Sequence, residues 1–214
     1  MMHREVVHAE ALAWLEQQPA PAASSVVTSL PDVSELPELG FDGWRDWFIG
    51  AARRVIRWVP ADGVAIFFQS DIRYAGRWID KAHWIASAAD EERACLLWHK
   101  IVCRKPPGTI THGRASYSHM LCVAAMPRPS LGHPGPDVLA DAGHMVWSRA
   151  MGVEACRLAC RFLKEETTTR VVVDPFCGRG TALAVANEYG FAALGVDRSV
   201  RCCRAARKLR IPSA

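Results

Sequence analysis

The sequence predicts an α/β protein whose open, mostly parallel sheet is covered by helices on both faces. The β-branched run at residues 171–173 is typical of a buried parallel strand, ends in an aspartate, and leads into a Gly-x-Gly turn at 178–180. A helical pattern at 181–189 and a second strand at 192–196 follow. Strands that alternate with helices in this way form parallel sheets, which bind ligands at the carboxyl ends of their strands.

The two segments that follow these strands suit a nucleotide-like ligand. Glycines at 178 and 180 let the backbone approach a ligand closely. Asp197 ends the second strand at the distance, roughly twenty residues, at which an acid hydrogen-bonds ribose hydroxyls. A Gly-rich turn that holds no ligand is the alternative interpretation.

The full motif is specific to fewer classes of protein than a Gly-x-Gly turn is. The string Asp174-Pro175-Phe176-Cys177-Gly178-Arg179-Gly180-Thr181, with Leu194-Gly195-Val196-Asp197 downstream, closely resembles the cofactor motifs of S-adenosylmethionine-dependent methyltransferases. It looks most like the branch that methylates exocyclic amino groups of DNA or RNA bases. The resemblance implies S-adenosylmethionine as cofactor, held by Asp174, Phe176, Cys177, Gly178, Gly180, Thr181 and Asp197. Cys177 is expected to pack there and not to act as a nucleophile.

The resemblance also implies a permuted chain, because the cofactor motifs begin at residue 171 of 214. The expected fold is a three-layer, Rossmann-like methyltransferase fold with a seven-stranded sheet of order 3-2-1-4-5-7-6, which the chain enters at strand three. The predicted upstream strands are 5–7, 25–29, 63–68, 94–102 and 118–125, and the predicted helices 8–15, 44–58, 78–89 and 152–158. Residues 1–214 would form one domain, with a substrate and catalytic-loop half at 1–142 and a cofactor-binding half at 143–214.

Three further residues are candidates for cofactor contacts by the same resemblance. Glu10 follows the first strand, where the family places an acid that meets the adenine amino group. A carboxylate at a helix N-terminus, favoured by the helix dipole, explains Glu10 equally well. Ser148 and Arg149 precede the helix at 152–158 and could meet the methionine carboxylate of the cofactor, although Arg149 could also be an ordinary surface residue.

The segment Ser29-Leu30-Pro31-Asp32 occupies the place of the catalytic loop. In the resembling enzymes this loop is an Asp, Asn or Ser followed by two prolines and an aromatic ring that stacks on the base. Ser29 and Pro31 fit that pattern, whereas Leu30 and Asp32 depart from it. We therefore predict Ser29, Pro31 and Asp32 to face the acceptor. Asp32 would accept a proton or hydrogen bond, unless it is only a turn or cap residue.

Without a ring at position 32, base stacking must come from elsewhere in the chain or is not used. The nearby candidates in the sequence are Phe41, Trp44 and Trp47.

The charge pattern points to nucleic acid. No acidic residue occurs between Glu92 and Asp137, a region with several Lys and Arg residues. A one-sided positive region of this kind fits phosphate contact, although a solvated surface is the alternative. The candidate contacts are Lys100, Arg104, Lys105 and Arg114. Because the 103–117 loop is too short for a recognition domain, RNA (tRNA among the candidates) is favoured over DNA.

The amino-acid composition limits the metal sites, disulfides and membrane contacts that we expect. The eight cysteines have no Cys-x-x-Cys ligand spacing, so neither a metal site nor a disulfide framework is expected. No apolar stretch is long enough to span a membrane, so no membrane partner and a cytoplasmic location are expected. A homodimer stays open. Because the catalytic loop is altered, two other functions also stay open: a methyltransferase for small molecules or proteins, and a catalytically silent RNA-binding module.

Overall fold

An eight-stranded sheet forms the centre of the protein in the computed structural model, which describes residues 3–128, 130 and 135–211. The strands in chain order are β1 (Arg4–His8), β2 (Ser24–Thr28), β3 (Ala65–Gln69), β4 (Ile72–Tyr74), β5 (Arg77–Ile79), β6 (Cys95–Cys103), β7 (Tyr117–Ala124), β8 (Val138–Leu139), β9 (Val171–Asp174) and β10 (Ala192–Asp197). The helices are α1 (Ala11–Gln17), α2 (Gly40–Trp58), α3 (Lys81–Glu91), α4 (Val153–Glu166), α5 (Thr181–Glu188) and α6 (Val200–Lys208). Two short 3₁₀ turns, Val33–Glu35 and Pro37–Leu39, precede α2.

The sheet order interleaves the two ends of the chain. Its strands follow the order β1-β10-β9-β2-β3-β7-β6-β8. The five strands from β1 to β3 are parallel, and β7 is antiparallel to both β3 and β6. β4 and β5 pair only with each other, as a two-stranded antiparallel ribbon at residues 72–79.

The predicted number of strands was wrong. The sheet has eight strands instead of seven, because the two residues of β8 add to its edge parallel to β6. Numbered by chain position, the order differs from 3-2-1-4-5-7-6, but with β9 counted as strand one and β1 as strand three the first seven strands of the sheet follow that series. That series counts from the cofactor strand, whereas this chain begins at the sheet edge with β1 and inserts β9 and β10 between β1 and β2.

Helices cover both faces of the sheet, which explains why its strands are apolar on both sides. Neighbouring residues of β9 show this, since Val172 and Val173 belong to cores on opposite faces. The core around Val172 is packed by α4, α5 and α6, and the core around Val173 by α1, α2 and α3. Within the described ranges, no helix combines the length and apolar character needed to cross a membrane.

Most element boundaries agree with the sequence pattern to within about four residues, but α4 is longer than predicted, and the predicted start of α3 is a separate strand. A helix was predicted from residue 78, yet α3 begins at Lys81, where the Asp80 side chain accepts a hydrogen bond from His83 N at 2.9 Å. The residues before it, 77–79, form β5.

The parallel strands β2, β3, β9 and β10 end in loops on one side of the sheet, and the candidate site lies there.

Candidate functional site

A cavity of about 500 Å³ lies at the carboxyl ends of β2, β9 and β10. We call it the large cavity; its volume is within the range usual for small-molecule sites. It brings together most of the residues predicted for the cofactor and the catalytic loop. Those that line it are Glu10, Ser29, Pro31, Arg149, Asp174, Phe176, Cys177, Gly178, Thr181 and Asp197.

The two glycines of the turn after β9 have different roles. Gly178 lines the large cavity with a φ of +51°, and a Cβ there would lie 2.8 Å from Cζ2 of Trp147. Gly180, with a φ of +83°, faces α6 instead, where a Cβ would lie 2.8 Å from Cβ of Ala206. Gly178 thus borders the ligand space, whereas Gly180 permits close packing of α6.

Asp174, the last residue of β9, is buried at the floor of this cavity. Its Oδ1 accepts hydrogen bonds from Thr28 Oγ1 at 2.7 Å and from Phe176 N at 3.1 Å. Burial raises the pKa of Asp174 to about 7, although both hydrogen bonds oppose that shift. The group is therefore poised to ionise when a positive charge enters the cavity.

The raised pKa of Asp174 predicts a pH-dependent stability without ligand. The protonated carboxyl is favoured in the folded state, so its contribution is complete below the ordinary pKa of 3.8 and is lost as the pH rises through about 7. We expect wild type to lose stability relative to Asp174→Asn by at most about 1.4 kcal/mol per pH unit. Urea unfolding of both proteins from about pH 5 to about pH 8 measures the difference, and parallel pH curves would contradict the assignment.

Asp197 joins the end of β10 to the turn after β9. Its Oδ2 accepts a hydrogen bond from Gly178 N at 2.9 Å, and its Oδ1 accepts one from Ser199 N at 2.7 Å. Burial raises the pKa of Asp197, and the two amide donors oppose that shift. A carboxylate offers about four acceptor positions, so both oxygens can still bind ligand hydroxyls.

Thr181 and Cys177 are two buried side chains of the large cavity with different expected roles. Thr181 Oγ1, in the first residue of α5, is buried without a hydrogen-bond partner in the described part of the chain. Such atoms are rare in folded proteins, so a ligand group is a natural partner for it. The Cys177 thiol is buried, and burial raises its pKa far above neutrality, so it stays a packed thiol.

Glu10 lies at the start of α1 on the wall of the same cavity. Its Oε2 accepts a hydrogen bond from Ala13 N at 2.8 Å and so caps the helix. Both interpretations of this residue fit the structure, because a carboxylate that caps a helix can also accept a ligand hydrogen bond.

Two loops meet across the opening of the large cavity. Arg149 forms an ion pair with Glu35 at 2.8 Å, and Arg198 donates a hydrogen bond to Glu35 O at 2.8 Å. Ser148, predicted to lie with Arg149, lines the neighbouring small cavity instead of the large one.

The small cavity has a volume of about 130 Å³ and contains Asp32. It adjoins the large cavity, since Glu35 and residues 29–30 and 149–150 line both. Lys81 lies in its wall and is buried, with Nζ 3.3 Å from Asp32 Oδ2. Its Nζ is also 6.0 Å from the ring centroids of Trp44 and Phe48. Burial lowers the pKa of Lys81, and Asp32 opposes that shift.

Lys81 was not among the residues predicted from the sequence. No local pattern marks it, because it is one lysine at the start of an ordinary helix.

The carbonyls of the predicted catalytic loop are held by the protein. Pro31 O accepts a hydrogen bond from Trp44 Nε1 at 3.0 Å, and Leu30 O accepts one from Gln69 Nε2 at 3.3 Å. Trp44 is fully buried, so it is excluded as the ring that stacks on a base.

Of the other two ring candidates, one lies at the cavity. Trp47 lines the large cavity and packs edge-on against Phe176, with ring centroids 5.8 Å apart. Phe41 stacks on Tyr74 outside both cavities, with centroids 4.3 Å apart. Of the three predicted ring candidates, Trp47 is thus the one that lines the large cavity.

A hydrogen-bonded chain connects the small cavity with the surface. Buried Asp71 contacts His119 through Oδ2 and Nε2 at 3.0 Å, and His119 Nδ1 lies 2.8 Å from Nε2 of exposed His99. Burial opposes ionisation of Asp71, but His119, the backbone amide of Lys81 and the Trp78 indole hold its pKa below the usual value. Potential metal-ligand atoms of Asp71, Asp80 and His119 lie within 4.8 Å of one another. The hydrogen bonds of these side chains already account for that arrangement.

The predicted nucleic-acid contacts separate into three groups. Lys100 is fully buried, and its Nζ donates hydrogen bonds to the carbonyls of Gly135 and Pro136 at 3.0 Å each. It is therefore unavailable to a phosphate, and its assignment was wrong. Arg104 is half-buried at the small cavity and donates to Ser70 Oγ at 3.2 Å. Lys105 and Arg114 are exposed.

Several solved structures share this architecture. TTHA0409, a proposed DNA modification methylase from Thermus thermophilus complexed with S-adenosyl-L-methionine, matches with a TM-score of 0.73 at 20% identity, over 96% of this chain and 93% of that chain. PvuII DNA methyltransferase (cytosine-N4-specific) matches with a TM-score of 0.72 at 15% identity, over 99% of this chain and 88% of that chain. The complex of M1.HpyAVI with S-adenosylmethionine matches with a TM-score of 0.60 at 12% identity, over 96% and 97%.

Sequence comparisons give no corresponding match. No protein-family model matches the chain, and no curated protein gives a significant match. The likeness is therefore one of architecture, and it shows that this chain has a methyltransferase fold.

Proposed function

We propose that the chain is an S-adenosylmethionine-dependent methyltransferase that modifies a nucleobase, with DNA favoured over RNA as the substrate. The main support for this proposal is the pair of adjoining cavities, one between Asp174 and Asp197 and the other around Asp32. A donor and an acceptor can meet where residues 29–30 line both cavities. The similar solved structures support the class of reaction, because their names describe DNA methylases and methyltransferases.

The large cavity suits the donor, which supplies an electrophilic methyl group on a sulfonium sulfur. Asp197 would hold the ribose hydroxyls and Glu10 the adenine amino group. The hydroxyl of Thr181 would gain the partner that it lacks. Arg149 would bind the carboxylate of the donor only by giving up its ion pair with Glu35.

The small cavity suits the acceptor amine. Asp32 would accept a hydrogen bond from that amine and take the proton that the nitrogen loses after gaining the methyl group. Lys81 would hold the Asp32 carboxylate in place through their 3.3 Å contact. Ser29, where the two cavities join, would orient the acceptor, whereas Pro31 contributes a rigid backbone whose carbonyl is already bonded to Trp44.

The two halves of the chain would divide this work, within one domain at 1–214. Residues 143–214 supply most of the donor site, and residues 1–142 supply the acceptor loop. The division is incomplete, because Glu10 and Ser29 also line the large cavity.

The earlier expectation of RNA, and of tRNA in particular, lacks support from the comparisons, in which the named substrate is DNA. It depended on the 103–117 loop, which is too short for a recognition domain. The ribbon at 72–79 is a further element able to reach a base in a duplex.

Calorimetry with S-adenosylmethionine, followed by incorporation of its labelled methyl group, tests the proposed function. We expect binding, and label in duplex or single-stranded DNA that is recovered as one methylated nucleoside. Absence of binding would contradict the cofactor assignment. Label recovered only in RNA, in protein or in small molecules would assign a different acceptor to the enzyme. Binding without any transfer would indicate a catalytically silent module.

Removal of the Asp197 carboxylate is expected to weaken cofactor binding most among the donor contacts. Loss of hydrogen bonds to a charged acceptor corresponds to an increase in Kd of about 10- to 100-fold for Asp197→Ala. Calorimetry measures the change. Glu5→Ala, which removes an exposed carboxylate from β1, is the matched control and should leave Kd unchanged. Equal affinities of the two variants would contradict the role of Asp197.

A further inference from the structure

The ribbon formed by β4 and β5 projects from the protein beside the small cavity. Ile72 and Ile79 at its base are buried, and all six residues between them are exposed. Ala75 and Gly76 at its tip have φ values of +46° and +76°, as in the tight two-residue turns of β-hairpins. A six-residue exposed hairpin has no structural role in the core, so its surface is available to a partner.

Cations and aromatic rings cover this ribbon. Tyr74 stacks on Phe41 of α2, and the guanidinium of Arg77 lies 5.6 Å from the centroid of the same Phe41 ring. The guanidinium of Arg73 lies 5.9 Å from the ring centroid of Trp78, and the Trp78 side chain is 46% exposed. Arginine on an aromatic platform suits contact with phosphates and bases.

The two ribbon arginines also lack acidic partners. Within residues 3–128, 130 and 135–211, neither Arg73 nor Arg77 forms an ion pair, unlike Arg53, which pairs with Glu91, and Arg157, which pairs with Glu188. Unpaired arginines on an exposed hairpin keep their charge available for an anionic partner.

The ribbon is fixed to the acceptor site at several points. Ile72 lines the small cavity and forms a β-bridge with Arg114 of the 104–116 loop. Arg73 N donates a hydrogen bond to Gly113 O at 3.4 Å in the same loop. Trp78 Nε1 donates a hydrogen bond to Asp71 Oδ2 at 3.1 Å. The ribbon therefore has a defined position relative to the acceptor cavity.

The loop extends the positive surface of the ribbon. Exposed Lys105 and Arg114 lie in it, and the sequence of residues 104–116 contains no acid. Together the ribbon and the loop form a basic surface at the mouth of the small cavity.

We infer that the ribbon is the element that enters the major groove of duplex DNA beside the base to be modified, an inference that rests on the proposed function. The major groove of B-DNA admits a two-stranded ribbon, whereas the major groove of A-form RNA is too deep and narrow for protein side chains to read. Arg73 and Arg77 contact phosphates or guanine edges, and the adjoining loop contacts the flanking backbone.

Binding of one short sequence as duplex DNA and as duplex RNA tests this inference. In Arg73→Gln/Arg77→Gln, we expect Kd for duplex DNA to rise about 10- to 100-fold. The slope of log Kd against log salt concentration should fall by about 2. Affinity for duplex RNA should change much less. The matched control is Arg204→Gln/Lys208→Gln, two exposed cations on α6, which should bind DNA as wild type does.

Four results would overturn the inference: no binding of duplex DNA by wild type, unchanged DNA affinity in Arg73→Gln/Arg77→Gln, an equal loss in the α6 control, or an equal loss for duplex RNA. Calorimetry with S-adenosylmethionine on the same proteins separates the two proposals. Unchanged cofactor affinity with unchanged DNA affinity removes the ribbon from recognition but leaves the methyltransferase assignment. Absence of cofactor binding removes the proposed function, whatever the DNA result.

Discussion

Asp32→Asn is expected to lower the rate of methyl transfer to nucleic acid by about 100- to 10,000-fold, the usual contribution of a positioned proton acceptor. The amide keeps the shape of the side chain and can still accept a hydrogen bond from Lys81, but it cannot take up the proton that the amine loses. Cofactor affinity should stay within about threefold of wild type, because Asp32 lies in the small cavity and not in the large one. Single-turnover transfer of labelled methyl measures the rate, and calorimetry measures the affinity.

Ser34→Ala provides a control for this variant, since Ser34 also lines the small cavity but is exposed and has no assigned role. A wild-type rate in Asp32→Asn would show that the altered loop acts without a carboxylate. An equal loss of cofactor affinity would place Asp32 on the donor side.

Lys81→Met is expected to lower kcat by about 10- to 100-fold, because the Asp32 carboxylate loses the ammonium that fixes its position. KM for the nucleic acid should change little. Stability should change little, because Met has a similar volume and the Asp32 carboxylate that loses its partner is 27% exposed to solvent.

Lys164→Met is the matched control, as it removes an exposed lysine from α4. Lys81→Met/Asp32→Asn should be no slower than Asp32→Asn alone, because Lys81 acts through Asp32. An unchanged kcat in Lys81→Met, or additive losses in the double variant, would contradict this positioning role.

The parts of the site that the sequence predicts well are those with a local backbone signature. The strand ending at Asp174, the turn at Gly178 and the strand ending at Asp197 each combine an apolar run with a change of chain direction. Because parallel strands end on one side of a sheet, the large cavity follows from these short segments.

Contacts between distant segments left no such signature. Lys81 is buried because α3 packs on Trp44 and Phe48 of α2, which no local pattern encodes. The ribbon was hidden because its turn, Ala75-Gly76, is a weak hairpin signal and its second strand runs directly into α3.

Lys100 is a residue whose burial the sequence does signal. Trp98, Lys100 and Val102 alternate along β6, so Lys100 lies on the buried face with its two apolar neighbours. This alternation excludes Lys100 from the predicted nucleic-acid contacts, whatever its charge suggests. The edge strand β8, by contrast, has only two residues and no periodic pattern.

The most direct test of the account is a crystal structure of the protein with S-adenosylmethionine. The account predicts the adenosyl group in the large cavity, with its ribose hydroxyls at Asp197 and its sulfonium methyl directed toward the small cavity and Asp32. A donor bound elsewhere, or a large cavity that stays empty at saturating cofactor, would contradict it.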